Sequence, residues 1–442
     1  MENNLTTGSI WKNILSFSLP YLCSYFLQTL YGMADLFIIG QYEGAASITG
    51  VAIGSQVMHM LTVMIVGLAM GTTVNIGQAV GAGDKKRVSL IIGNTVLLFM
   101  TLSVLMAGGL TFLVGRITGA MATPVEALKG TQAYLTICFL GIPAITAYNI
   151  ISAIFRGMGD SKSPMYFIAV ACAANIGLDI LFMGPMQMGP AGAALGTTLS
   201  QALSVLISLV MIRRTKMDIS VSREDFRIHK DVLARILRIG VPVSLQDGFI
   251  QISFLAITAI ANGRGLVDAA AVGVVEKIIS FIFLVPSSML STVSALGAIN
   301  IGAGKGERAR QILWDAIKLV MLFGVFIILV VETTAPHWVA QFTTDSRVIT
   351  AGGNYFRGYI FDAFFAGIHF SFSGYFCAIG RSELSFLHNA IAIVTARIPL
   401  AYLTSMWFPE TLLPMGIATA IGSLESAVIC GGVYRWLGKK RT

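Results

Sequence analysis

Residues 14–39 read ILSFSLPYLCSYFLQTLYGMADLFII, and this stretch decides the fold class. It contains 26 residues but only one charged side chain, Asp35. About 20 apolar residues are enough for an α-helix to cross the hydrocarbon core of a bilayer. The stretch lacks the alternation of apolar and polar residues that is typical of a barrel strand, whereas a helix satisfies its own backbone in lipid. It therefore predicts a membrane-spanning helix.

The same pattern recurs along the whole chain of 442 residues, of which 55% are hydrophobic and 12% are charged. A soluble domain carries about 25% charged residues, so this chain has too few to cover a polar surface. The sequence predicts an all-α membrane protein with no basic groove for nucleic acid. Its twelve expected spans lie near 14–39, 46–70, 88–114, 132–155, 165–183, 190–212, 237–261, 269–297, 311–332, 353–377, 385–407 and 411–434.

The basic residues indicate the orientation of these spans, because cytoplasmic loops carry an excess of Lys and Arg. With the amino terminus inside, the inner segments hold 22 basic residues and the outer loops hold four. The net charge of +8 is then a consequence of topology. We expect a multi-pass protein of the inner (cytoplasmic) cell membrane with both termini in the cytoplasm. The first residues do not show the pattern of a cleaved signal peptide.

The two halves of the sequence repeat each other. Gly81-Ala82-Gly83 and Arg87 recur as Gly302-Ala303-Gly304 and Arg308, at an offset of 221 residues, which is half of the chain. Each half holds six expected spans. Because six is an even number, both halves start on the same side of the membrane and form parallel repeats. In transporters built this way, the substrate site lies between the halves near the bilayer midplane.

The repeat also predicts the domain organisation. We expect an N-terminal six-helix lobe over residues 1–217 and a C-terminal six-helix lobe over 218–442. The first part of the second lobe, 218–236, is rich in charged residues and is expected to be a cytoplasmic linker. Each chain then contains a complete pathway of its own, which favours a monomer.

Acidic side chains within the expected spans are the strongest functional signal. A carboxylate at the bilayer centre costs about 2.5–3.5 kcal/mol even on the scale derived from insertion experiments, so each one needs a partner or a function. The alternative is that such residues only hold helices together, as polar residues in membranes often do. The six acids are Asp35, Asp179, Asp247, Glu276, Asp362 and Glu425.

Four polar residues of the first half form a candidate site for a coupling cation. Asn175 and Asp179 share one face of the fifth span, Thr197 lies in the sixth and Asp35 in the first. No basic residue lies at a similar depth in this half, so the two carboxylates should share a proton or hold a cation. Amide and hydroxyl oxygens suit Na⁺ as well as a protonated carboxyl group. We expect H⁺ or Na⁺ here, and no other metal or cofactor.

A substrate cavity is the second candidate site. We assign Asp247, Asp362, Gln28 and Gln201 to its lining, where acidic and amide groups would meet a lipophilic cation. An enzyme within the membrane would need a constellation of His, Ser and Lys or a metal site, and the sequence has none. A phosphate-binding loop with its Lys-Ser/Thr is also absent, which excludes ATP hydrolysis as a direct energy source.

Several short motifs together resemble those of multidrug and toxic compound extrusion (MATE) transporters, over essentially the whole chain. The resemblance implies a V-shaped pair of six-helix bundles that exports organic, often cationic, compounds in exchange for H⁺ or Na⁺. It also implies that the candidate cation site corresponds to the one in the branch that couples through its N-terminal lobe. The motifs are Ser18-Leu19-Pro20, the segment 34–40 (ADLFIIG), the segment 155–161 (FRGMGDS), the segment 175–179 (NIGLD), and Gly192-Ala193-Ala194 with Thr197 and Gln201.

One alternative function remains within the same fold group, a flippase for lipid-linked oligosaccharides. Such a protein should place cationic side chains in its cavity to meet pyrophosphate, whereas the charges within the spans here are mainly acidic. The expected partners are therefore a small drug-like molecule and the membrane lipids, and the expected function is xenobiotic efflux by antiport.

Overall fold

The computed structural model describes residues 5–214 and 221–439, and within these ranges the ordered elements are helices. Long apolar segments without interior breaks form most of them, as expected for chains that must satisfy their backbone in lipid. The helices of the first half are α1 (Ile10–Tyr42), α2 (Ala45–Gly81), α3 (Lys85–Ala120), α4 (Val125–Leu140), α5 (Ile142–Gly157), α6 (Lys162–Met183) and α7 (Gly189–Arg214).

The second half begins after a short 3₁₀ turn, Arg223–Phe226, within the expected linker. A π-helical turn, Ile393–Arg397, separates two of its helices. The helices are α8 (Lys230–Gly263), α9 (Leu266–Ile282), α10 (Leu284–Gly302), α11 (Gly306–Ala340), α12 (Ser346–Ala378), α13 (Ser382–Ala392), α14 (Ile398–Trp407) and α15 (Leu413–Lys439).

Each of the twelve expected spans falls on one helix or on consecutive helices. Within the described ranges, ten segments are long and apolar enough to cross a membrane, and α4 with α5 forms an eleventh that is bent by 50°. The remaining helix, α12, is 33 residues long but less apolar, and most of its side chains are buried against α9, α10, α11 and α15. A helix that is surrounded by protein does not need the hydropathy of a lipid-facing one.

Glycines lie at two turns of the internal repeat and at the bend between α4 and α5. Gly83 and Gly304 follow α2 and α10 with φ angles of 72° and 73°, a backbone conformation that glycine adopts without steric cost. The sharp bend between α4 and α5 occurs at Gly141, where an added Cβ would lie 2.4 Å from Cγ2 of Thr198 on α7. The close approach of α7 therefore depends on glycine, although the backbone of Gly141 itself has ordinary helical angles (φ −79°, ψ −8°).

The helices pack into two compact units. The first unit runs from Leu19 to Ser244, and the second consists of the residues up to Ser18 together with those from Leu245 onward. The start of α8 thus packs in the first unit, where Ile236 joins an apolar core with side chains of α2, α3 and α5. The lobes over 1–217 and 218–442 stay a prediction from the repeat.

The end of the linker is held on α3 in the first unit. The buried Asn94 amide donates hydrogen bonds to the carbonyls of Asp225 (3.3 Å) and Arg227 (3.2 Å), and its oxygen accepts one from the His229 backbone N–H (2.9 Å). At the neighbouring Gly93, an added Cβ would lie 2.2 Å from the Asp225 carbonyl oxygen. The linker therefore lies directly on the α3 backbone.

Candidate functional site

The four residues of the candidate cation site come together in the first unit. Asp35 lies on α1, Asn175 and Asp179 lie on α6, and Thr197 lies on α7. Asp35 is 2% exposed, Asn175 and Asp179 are 0% exposed, and Thr197 is half-buried. Three helices that are far apart in the sequence therefore bring two carboxylates, an amide and a hydroxyl into one interior position.

One hydrogen bond of ordinary geometry joins these residues. Thr197 Oγ1 donates to Asp35 Oδ2 at 3.1 Å, and Asp35 also interacts electrostatically with Asp179 and Asn175. Asp35 Oδ1, both carboxylate oxygens of Asp179 and the amide group of Asn175 make no hydrogen bond of good geometry with a described residue. Buried polar groups normally have partners. This cluster consequently has spare oxygen donors for a proton or a small cation.

The surroundings of the two carboxylates are apolar or neutral. Tyr31, Tyr134 and Cys138 lie within electrostatic range of Asp35. Behind them, the side chains of α1, α2, α4 and α5 form an apolar core around Phe139. Among residues 5–214 and 221–439, no Lys or Arg forms an ion pair with either acid. Two like charges in such a setting cannot both stay ionised without a cation.

Gly196, which the sequence analysis did not select, shapes the position of Asp179. A Cβ added at Gly196 would lie 2.0 Å from Asp179 Oδ1, far inside van der Waals contact. The absence of a side chain on α7 thus lets the carboxylate lie against the helix backbone. Gly196 directly precedes Thr197 and follows Gly192 by one turn, but this spacing alone does not indicate that a carboxylate lies against it.

In the second unit, Asp362 has a fixed cationic partner that sequence analysis did not identify. Asp362 Oδ2 lies 3.3 Å from Arg397 Nη2, and the two side chains are 0% and 11% exposed. Arg397 also donates a hydrogen bond to the Tyr359 hydroxyl at 2.9 Å. Arg397 ends the π-helical turn before α14, so this turn positions its side chain. Any cationic substrate at Asp362 would therefore compete with Arg397.

The other expected cavity residues lie in both units. Gln28 on α1 is half-buried, and Gln201 on α7 is 3% exposed with its Oε1 lacking a hydrogen bond from a described residue. Asp247 on α8 is half-buried in the second unit. A shared substrate cavity of Gln28, Gln201, Asp247 and Asp362 stays a prediction.

Two further acids of the spans have neutral partners on a neighbouring helix. Glu276 on α9 accepts a hydrogen bond from Thr258 on α8 at 3.1 Å. Glu425 on α15 accepts one from Thr395 in the π-helical turn at 2.9 Å. Such contacts fit the simpler interpretation, in which intramembrane polar groups hold helices together.

The buried His388 pairs with two serines. His388 contacts Ser373 Oγ at 2.9 Å through Nε2 and Ser426 Oγ at 2.6 Å through Nδ1, and its ring lies 5.6 Å from that of His369. In the part of the chain that the structure describes, no group of three or more His, Cys, Asp or Glu side chains could hold a metal ion. His388 therefore contributes hydrogen bonds across α12, α13 and α15, whereas Nδ1 of the buried His369 has no hydrogen-bond partner among the described residues.

Replacing Gly196 with alanine tests the geometry of the cation site. The new methyl group would displace the Asp179 carboxylate, so we expect ion-driven transport to need a coupling-ion concentration about 5–150-fold higher, the affinity change that corresponds to typical coupling free energies. Gly177→Ala is the matched control, because a Cβ at Gly177 on α6 meets nothing within 4 Å. Efflux rates of both variants in proteoliposomes measure the effect. Equal rates for G196A and G177A would contradict this account of Asp179.

Comparisons with known proteins place these observations in a family. Residues 20–181 and 242–403 each match the MatE family model. "Probable multidrug resistance protein YoeA" of Bacillus subtilis (strain 168) is 24% identical over 440 residues, covering 98% of this chain and 95% of that protein. "Probable multidrug resistance protein YpnP" of the same organism is 28% identical over 415 residues, covering 94% and 93%.

A solved structure shows the same fold. It is an outward-facing conformation of a multidrug resistance MATE family transporter of the MOP superfamily. The TM-score is 0.92 with 22% sequence identity, and the match covers 99% of this chain and 98% of that one. The two matched segments of this chain, 20–181 and 242–403, correspond to the two halves of the internal repeat.

Proposed function

The chain belongs to the MATE family of multidrug efflux transporters, and on this basis we propose that it exchanges H⁺ or Na⁺ for small, lipophilic organic cations across the cell membrane. The observation that carries the proposal is the buried cluster of Asp35, Asn175, Asp179 and Thr197, in which two acids have no basic partner among the described residues. The names of the relatives support multidrug export as the biological role.

The exchange follows from the charge of this cluster. A cation that binds between Asp35 and Asp179 cancels negative charge in a poorly solvated site, where electrostatic interactions are strong. A cationic substrate instead prefers the state in which the carboxylates are charged. Because the two ligands favour opposite states of the same protein, binding of one weakens binding of the other.

Asp35 offers a direct route from cation binding to helix movement. It lies on α1, which contains Pro20, and a proline in a helix interior removes one backbone hydrogen bond and permits bending. The hydrogen bond from Thr197 to Asp35 links α7 to α1. We propose that neutralisation of the carboxylates changes how α1 packs against α6 and α7.

Orientation and oligomeric state belong to the same proposal. The excess of basic residues at one end of the helices supports a cytoplasmic location of both termini. The match to the family model in both halves supports a complete pathway in each chain, and therefore a monomer. No nucleic acid partner is expected, because the basic residues follow the membrane topology.

Dye efflux from proteoliposomes tests the function. Purified protein is reconstituted with a fluorescent lipophilic cation inside, and Na⁺ and pH gradients are imposed separately. We expect at least one inward gradient to drive dye out, and the gradient that does so identifies the coupling ion. Protein-free vesicles under the same gradients are the control. Efflux that equals the control under both gradients, from protein shown to be folded, would refute the proposal.

No observation favours the flippase. That function needs cationic side chains that are available to a pyrophosphate group. Arg397, whose side chain is 11% exposed, also donates to the Tyr359 hydroxyl, and its charge is already balanced by Asp362. The relatives from Bacillus subtilis are named as probable multidrug resistance proteins, which gives the flippase no support.

A further inference from the structure

A groove lies on the second unit between the start of α11 and the end of α15. Both of these helix ends carry many basic residues, which indicates the cytoplasmic side of the membrane. The groove has a volume of about 370 Å³ and is open on one side. Its lining residues are Trp314, Val428, Gly431, Gly432, Tyr434 and Arg435.

Aromatic side chains form the inner wall of the groove. The Trp314 indole N–H donates a hydrogen bond to the Tyr434 hydroxyl at 3.3 Å, and their ring centroids lie 5.6 Å apart. Phe372 of α12 lies behind both, 6.0 Å from Trp314 and 5.8 Å from Tyr434. Gly431 and Gly432 leave the α15 side open, since a Cβ at either position meets nothing within 4 Å.

An exposed apolar strip continues from the groove along α15. Ile417, Ile421, Leu424 and Val428 follow each other at intervals of four, three and four residues, which puts them on one helix face. They are 40%, 40%, 40% and 65% exposed. The strip is long enough for a hydrocarbon chain to lie along it, because the twelve helical residues 417–428 span about 16 Å.

The other end of the groove is positively charged. Arg435 is exposed and forms no ion pair or hydrogen bond with a described residue. Arg310 on α11 is paired with Glu307 at 2.7 Å, and Lys318 with Asp315 at 2.9 Å, so their charges are balanced locally. Arg435 therefore gives this end of the groove a net positive charge next to Trp314 and Tyr434.

The repeat supplies an independent comparison. At the offset of 221 residues, Trp314 on α11 corresponds to Gly93 on α3. In the first unit this position is covered by the chain itself, because the Asp225 carbonyl lies against Gly93. In the second unit the described residues leave Trp314 44% exposed. In the first half, therefore, a segment of the chain covers this position. In the second half, the equivalent position carries an aromatic side chain that the described residues leave uncovered.

We propose that this groove binds one anionic phospholipid of the inner leaflet. Its phosphate meets Arg435, its glycerol region lies at Trp314 and Tyr434, and one acyl chain follows the apolar strip of α15. Tryptophan and tyrosine are typical of the membrane interface, and basic pockets between helices on the cytoplasmic side bind anionic head groups. The surrounding bilayer supplies the ligand at high local concentration.

Native mass spectrometry of the purified protein tests the site. Phosphatidylglycerol and phosphatidylcholine with identical acyl chains are added in equal amounts, and we expect retention of the first. Arg435→Gln should lower that retention by about fivefold, the effect of one basic residue near an anionic lipid. Arg116→Gln, which removes an exposed basic residue at the opposite end of the helices, is the matched control. Equal retention of the two lipids, or equal loss in R116Q and R435Q, would overturn the proposal.

Two further measurements separate the parts of the site. Phosphatidylglycerol with brominated acyl chains should quench fluorescence of the wild type more than that of Trp314→Phe, because bromine reaches only indoles near the acyl chain. Equal quenching would refute the placement at Trp314. Inorganic phosphate should not displace the lipid at equal concentration, and displacement would show that the acyl chain contributes nothing. None of these readouts depends on transport, so they stand apart from the efflux assay.

Discussion

Asp35→Asn and Asp179→Asn are each expected to abolish gradient-driven efflux in proteoliposomes while leaving the protein folded. Asparagine keeps the size of the side chain but removes the negative charge and the ability to bind a proton. The two acids are 2% and 0% exposed and have no basic partner among the described residues. When one acid is replaced, only the other acid of the pair remains in the cluster to bind the coupling ion. Dye efflux under the active gradient should fall to the rate of protein-free vesicles.

The controls for these variants separate charge from structure. Glu126→Gln removes an exposed carboxylate in the first turn of α4 and should transport like the wild type. Thermal unfolding in detergent should show that D35N and D179N retain a cooperative transition. Binding of the dye itself should weaken in both, because its positive charge loses a partner. Normal transport in both variants would refute the assignment of the cation site.

The second large effect is expected on stability. Arg397→Met should lower the free energy of unfolding by about 3–5 kcal/mol, the usual cost of breaking a buried ion pair by removing one partner. Asp362 is 0% exposed and would be left as an uncompensated charge. Tyr359 would lose its hydrogen bond from the guanidinium group at the same time. The thermal unfolding midpoint in detergent measures the change.

The double variant decides whether the charge or the volume of Arg397 matters. Arg397→Met combined with Asp362→Leu removes both charges, so it should be more stable than R397M alone, as is common for buried pairs replaced together. Arg347→Met serves as the matched control, because its ion pair with Asp345 is exposed and should contribute little. A double variant no more stable than R397M would mean that packing of the arginine, not its pairing, stabilises the second unit.

Local sequence patterns were sufficient for the helices but not for their breaks. Each of the twelve expected spans falls on one or more helices, since hydropathy over about 20 residues reflects a transfer free energy that depends on composition alone. The 50° bend at Gly141 and the π-helical turn that ends at Arg397 were not predicted. Gly141 at the bend lies against Thr198 of α7, and Arg397 at the end of the turn pairs with Asp362 of α12, so both breaks lie at contacts with other helices that hydropathy does not report.

In the candidate cation site, too, some features could be predicted from the sequence and others were visible only in the structure. Asn175 and Asp179 could be paired from their spacing on one helix, Asp35 and Thr197 were added because they are polar groups within neighbouring expected spans, and the resemblance to MATE transporters pointed to the same four residues. The structure brings all four together, but their role in ion coupling stays a proposal. Gly196 was missed because a glycine carries no chemical signal until a carboxylate is seen against its backbone.

The sequence by itself determined that the chain is an all-α membrane protein with an internal repeat and a small number of buried acids. These properties follow from composition and periodicity along the chain, which can be read without knowing which residues are close together in space. Only the tertiary structure decided which acids have a fixed cation. Asp362 and Arg397 are 35 residues apart in sequence and pair across two helices, whereas Asp35 and Asp179 meet each other without a basic partner among the described residues. Such pairings depend on how whole helices pack, and no spacing along the chain encodes them.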